Sequence, residues 1–276
     1  MRVLSTDSLP GVARRALSTA SIGWSSSITF ATLGTAITTL VLVPGLNVLF
    51  TVLLGADLAA NDTVRIGCAT ALIATLSSVA AGIVARVATD RWIGVFEYVC
   101  TARPVDAGYW LGAAAVPALL ASVTGLSNVG IVWLLSLTAP STGAASGLLI
   151  GAIALMPVAV LGGVCLGIFA AGLGLYLSDP YTGSNFLSII LPVSAGVIVP
   201  VSTYPGWLAW LCSWVPGSRL VQALDTSGSI ASSTTPNLFA LLATDTALAA
   251  LYAAIGLGLT FLAARRIRAG ARASLL

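Results

Sequence analysis

Charged side chains are missing from five long stretches of this chain: residues 16–56, 66–85, 107–178, 180–218 and 246–264. A helix that crosses a bilayer needs about 20 predominantly apolar residues, and a charge placed inside it is costly. Each gap has the length of at least one such helix, and the 72 residues of the third have room for two. The composition agrees: 8% of residues are charged, where a soluble domain carries about 25%, and the mean hydropathy is +1.02. The expected fold is an all-α, polytopic membrane protein.

Six transmembrane helices are expected, over roughly Ser26–Leu49, Arg65–Arg86, two spans divided near residues 138–143, Gly183–Pro200 and Asp245–Ala264. The apolar stretch after Arg14 and Arg15 is too long, and starts too late, for a cleavable signal peptide. Arginine placement sets the orientation. With the N-terminus inside, Arg2, Arg14, Arg15, Arg86, Arg91, Arg103, Arg265, Arg266, Arg268 and Arg272 are all inner, and only Arg65 and Arg219 are outer. Both termini are therefore expected to be cytoplasmic. The chain divides as a single transmembrane domain over 1–276, with a cytoplasmic N-terminal segment 1–25, an inner loop 86–108, an outer loop 201–244 and a basic cytoplasmic tail 265–276.

Two absences narrow the chemistry. There is no Lys, so an ordinary phosphate-binding loop, whose Lys reaches the β- and γ-phosphates, cannot be built. There is no His either, which removes His-based triads and HExxH zinc sites. No catalytic residues and no metal ligands are assigned. The four cysteines, Cys68, Cys100, Cys165 and Cys212, lack CxxC spacing and read as small hydrophobes. The net charge of +3 needs no nucleic-acid partner.

Two loops carry more than connection requires. The inner loop holds six charges of balanced sign, with Trp92, Phe96 and Tyr98 among them. A short helix between Asp90 and Ala102, ended by Pro104, would present those aromatics beside paired charges as a docking surface. A loop that only joins two spans, with Glu97 paired to Arg91 or Arg103, is the alternative. In the outer loop, Trp207, Trp210 and Trp214 fall on one face of a short helix bracketed by Pro205 and Pro216. Indoles favour the headgroup region, so this reads as a re-entrant or interfacial segment, or else as an aromatic anchor for the last span.

With these features the chain resembles the permease subunit of ABC-2 type exporters, and within them the daunorubicin-resistance type of drug and lipid exporters. Asp90-Arg91, Gly94, Glu97 and Pro104 match the family's inner-loop pattern, although Asp90 stands where Glu is more usual. The second match is the run Phe186–Pro192, Gly196–Pro200, Tyr204–Leu208 and Val215-Pro216. The resemblance implies a cytoplasmic coupling helix formed by Asp90, Arg91, Trp92, Gly94, Phe96, Glu97 and Tyr98, and the outer re-entrant segment. It also implies a path bordered by Asn47, Phe50, Phe186, Leu187 and Ser188.

The family's partners are two copies of an ABC ATPase subunit, which hold the ATP and Mg, and a second permease, identical or homologous. This chain would then bind no cofactor and be no enzyme by itself. It would move an amphipathic or lipophilic compound out through a bacterial inner (plasma) membrane, in contact with membrane lipid. Phe96→Ala or Glu97→Arg would uncouple ATP hydrolysis from transport. An ion-coupled secondary transporter without an ATPase is the alternative function; it needs an acid within the bilayer, for which Asp179 and Asp245 lie nearest.

Spans one, two and five carry uncharged polar groups, among them Thr35, Thr38, Thr39, Thr70, Thr75, Ser77, Ser78 and Ser194. Most such hydroxyls bond back to their own helix. Gly147-xxx-Gly151 and Gly163-xxx-Gly167 read as close helix packing, with a kink near Pro157 and Gly162-Gly163.

Overall fold

A computed structural model describes residues 11–25, 27, 32–57, 62–102, 107–137, 144–228 and 238–269, and these residues are helical apart from turns. The segments around Ser26, the 138–143 division, Arg103 and Pro104, Asp106, residues 229–237 and Arg272 lie outside the described residues. The elements are α1 (Gly11–Ser25), α2 (Leu33–Ile37), a π-helical turn (Thr38–Leu42), α3 (Val43–Asp57), α4 (Thr63–Trp92), α5 (Val95–Ala102) and α6 (Ala107–Ser136). They continue as α7 (Ala144–Gly174), α8 (Thr182–Ser194), a 3-10 turn (Val201–Thr203), α9 (Gly206–Cys212), α10 (Ser218–Gly228) and α11 (Leu238–Arg268). The first apolar stretch is continuous from Leu33 to Asp57, with the π-helical turn inside it.

Five helices are long and apolar enough to cross a membrane: Leu33–Asp57, Thr63–Trp92, Ala107–Ser136, Ala145–Gly174 and Leu238–Arg268. By length and composition this is a multi-pass membrane protein. The expected fifth span is shorter than its apolar pattern: α8 has 13 residues and ends at Ser194, before Pro200. Gly196, at φ 69°, turns the chain there. The second and sixth spans are longer than charge placement suggested. α4 runs through Asp90 to Trp92, and α11 begins at Leu238, seven residues before Asp245. Charge marked span ends too early because both aspartates are accommodated inside their helices.

α4 is the hub, packed most extensively against α7 and then α6. Small residues set the α4–α7 distance. A Cβ on Gly163 would lie 2.5 Å from the Leu76 carbonyl oxygen, and one on Gly167 would lie 3.0 Å from the Ala80 Cα. Hydrophobic attraction is weak between helices in lipid, so this close fit is what holds them together. A fully buried cluster of Leu72, Ile73 and Leu76 of α4 joins Leu148 and Ala152 of α7. Leu220, Val221, Ala223 and Leu224 of α10 complete it. The short α10 is thus part of the bundle core rather than a surface loop.

Candidate functional site

The Trp92 end of α4 is where α4, α5, α6 and the C-terminus of α7 meet. Gly94, at φ 77°, makes the turn from α4 into α5, a conformation that strains any side-chain-bearing residue. Arg91 fixes the turn to α7: its Nη1 donates to the carbonyls of Gly174 (2.6 Å) and Leu177 (2.8 Å), filling acceptors that a helix C-terminus leaves open. Trp92 stacks edge-on to Tyr181 at 5.5 Å and stays 62% exposed. Ile93 and Tyr98 are also exposed. Glu97 stands in the first turn of α5, where a carboxylate suits the positive end of the helix dipole.

Phe96 differs from the expectation. It is 2% exposed and packs edge-on to Tyr109 at 6.4 Å, so it belongs to the core beneath α5 and not to a docking surface. The reason is amphipathicity: Phe96 and Cys100, four residues apart, share the inward face of α5, and Tyr98 falls on the outward one. Asp90 is buried too. Its Oδ1 lies 3.3 Å from the Arg86 guanidinium and its Oδ2 accepts from the Tyr109 hydroxyl at 3.0 Å. The Asp90-Arg91 pair of the sequence is therefore split, one residue turned inward to α6 and the other sideways to α7. Burial pushes the Cys100 thiol up to about 11, with Arg268 pulling it down and Glu97 pushing it further up.

At the other end of α4, Asp62 caps the helix by accepting from the Arg65 backbone N–H at 2.9 Å. The Arg65 side chain ties three segments together. It pairs with both carboxylate oxygens of Asp225 (2.7 and 3.0 Å) and donates to the carbonyls of Val197 (3.1 Å) and Gly196 (3.3 Å). Between that cluster and α11 the chain passes through α9 and, after a turn, α10. The turn is at Gly217, at φ 101°, which lies against Ile73 and Leu76 in the central stretch of α4. There the Gly217 N–H donates to both oxygens of Asp245 (3.0 and 3.2 Å), at the N-terminus of α10. Tyr252 of α11 donates to the Trp214 carbonyl at 3.1 Å. Trp207, Trp210 and Trp214 are all more than half exposed, with Trp210 and Trp214 edge-on at 6.0 Å. Pro205 and Pro216 bracket α9 as its sequence suggests.

The five path residues do not form one described site. Asn47 and Phe50 lie on the exposed side of α3, which packs on α4 and α6. Phe186 is exposed, Leu187 is partly buried, and Ser188 donates to the Asn185 carbonyl, all on α8, which packs on α4 and α7. Thr39, Thr70, Thr75, Ser77 and Ser194 donate to carbonyls of their own helices.

The contacts that sequence reasoning missed are polar and long-range: Asp245 with Gly217, Arg65 with Asp225, and Asp90 with Tyr109. None of the three has a local signal; the i,i+4 spacing marks only the separate Arg86–Asp90 pair. Among the described residues, no group of three metal-binding side chains forms. No protein-family model matches the chain, and no curated protein matches it.

Proposed function

We propose that this chain is the transmembrane subunit of an ATP-driven exporter of the ABC-2 type, moving an amphipathic or lipophilic compound out of a bacterial cell across its inner membrane. Separate ATPase subunits, two per complex, hold the ATP and Mg²⁺, and a second permease, identical or homologous, completes the translocation unit. Six membrane passages, with both termini cytoplasmic, require α8 to serve as the fifth pass, and α9–α10 then becomes a re-entrant hairpin before α11.

The observation that carries this reading is the α4–α5 corner. A 30-residue helix ending at the exposed Trp92 is joined through the exposed Ile93 and Gly94 to an eight-residue helix that exposes Tyr98, while Arg91 and Phe96 anchor the corner to α7 and α6. Exposed aromatics on a short element locked to the bundle suit a lever: a partner that grips Trp92 and Tyr98 moves α4 with them. The test is affinity purification of the full chain from its native membrane in mild detergent. An ATPase with a phosphate-binding loop near one-to-one stoichiometry supports the proposal. Recovery of the chain alone, from membranes whose other complexes stay intact, refutes it.

An ion-coupled carrier is the second reading. Asp90 and Asp245, 2% and 3% exposed, lie within long apolar helices. Transport driven by a proton or sodium gradient without nucleotide, and abolished by Asp245→Asn, would favour it.

A further inference from the structure

A cavity of about 820 Å³ lies beside the Arg86–Asp90 pair, walled by α1, the π-helical turn, α4 and α6. Its volume falls within the roughly 300–1,000 Å³ of small-molecule sites. It is long: Ser78 and Asp90, both on its wall, are twelve residues apart along α4, about 18 Å at helical rise. Its polarity is uneven. Arg86, Thr89 and Asp90 gather at one end, while Leu40, Val116 and Leu120 form apolar wall along it. None of the contacts assigned to the α4–α5 corner or to α9 and α10 explains such a space between membrane-spanning helices.

The ion pair decides the sign of the group that suits the polar end. Asp90 is turned away, its oxygens on Arg86 at 3.3 Å and the Tyr109 hydroxyl at 3.0 Å and its side chain 3% exposed, whereas the Arg86 side chain is 19% exposed, so the cation of the pair meets the cavity. A guanidinium carries five N–H donors, which lets it serve more than one acceptor at once. We propose that the cavity binds a lipid-like amphiphile with an anionic head group, the head held by Arg86 and the tail lying against Leu40, Val116 and Leu120. The inference rests on the amphiphile half of the proposed function and is independent of an ATPase partner.

The full chain is placed in phosphatidylcholine nanodiscs with a trace of phosphatidylglycerol bearing a diazirine in its tail, illuminated, and mapped by mass spectrometry. Labels are expected on α4 between Ser78 and Thr89 and on α6 between Val116 and Thr124. Ser78→Trp and Thr39→Trp, both at exposed positions on the cavity wall, fill the space and should each remove most of that label. The double variant Arg86→Gln with Asp90→Asn keeps a neutral pair, and should lower the preference for the phosphatidylglycerol probe over a phosphatidylcholine probe about tenfold, as loss of one charge-assisted hydrogen bond implies. Labels confined to outward residues such as Phe50 and Phe186, or undiminished in both tryptophan variants, overturn the site. Equal labelling by the two probes in the parent chain overturns the anionic head group. Labelling needs no nucleotide, so it is read whether or not an ATPase co-purifies.

Discussion

Asp245 gives the sharpest test of how α10 is held. Its carboxylate is 3% exposed and accepts from the Gly217 N–H at 3.0 and 3.2 Å, at the point where the chain turns into α10. A hydrogen bond to a charged group contributes about 1.5–3 kcal/mol, and a carboxylate at a helix N-terminus adds about 0.3–2 kcal/mol. The two overlap, because the same donor makes the bond and expresses the dipole, so Asp245→Ala should cost about 3 kcal/mol. At roughly 2–4 °C per kcal/mol for a chain of this size, the melting temperature should fall by about 6–12 °C. Asp245→Asn keeps an acceptor oxygen and loses only the charge, so about half of that fall is expected. The assay is thermal unfolding of the purified chain in detergent, followed by intrinsic tryptophan fluorescence. An alanine variant within about 0.5 kcal/mol of the parent, the range of an inconsequential surface change, would mean that apolar packing of Leu220, Val221 and Leu224 holds α10 without its cap.

Three further outcomes follow from the same contacts. Phe96→Ala should destabilise the chain by about 3–5 kcal/mol in the same melt, as loss of a buried aromatic does; Tyr98→Ala should leave the melt unchanged while lowering ATPase recovery on affinity purification, and the reverse pattern would refute the assignment of faces on α5. Gly163→Val should destabilise by about 1–3 kcal/mol, since overpacking pushes α7 away from the Leu76 carbonyl; a neutral melt would show that the two helices are free to separate. Cys100, whose thiol burial raises to about 11, is held as the neutral thiol in the fold, so its stability contribution is intact below about 9 and lost as pH climbs through about 11. Maleimide labelling of Cys100 at pH 8 should therefore be far slower than that of an unfolded control, and equal rates would contradict its burial.

Five of the six expected spans were legible because a bilayer imposes a one-dimensional rule: a stretch either contains charge or it does not. The small-residue spacing Gly163-xxx-Gly167 marked a close helix contact, and the structure supplies its partner, α4. A short helix ending at Ala102 was legible, although it begins at Val95 and not near Asp90, and so was the bracketing of α9 by Pro205 and Pro216. The faces of α5 were not: the same apolar, aromatic character describes Phe96 in the core and Tyr98 at the surface, and the packing of α5 on α4 and α11, with Tyr109 of α6 beneath Phe96, separates them.

The sequence by itself therefore determined that this chain lives in a membrane as a bundle of apolar helices, because the cost of burying a charge is a property of each residue in place. Only the tertiary structure decided how far those helices run and what they enclose. Arg86 and Asp245 marked span ends in sequence, yet α4 runs on through Asp90 and Asp245 lies inside α11, since Arg86 and Tyr109 compensate one aspartate and the Gly217 N–H the other. Those partners lie four, nineteen and twenty-eight residues away in sequence, and the two distant ones reach their carboxylates only when separate helices pack.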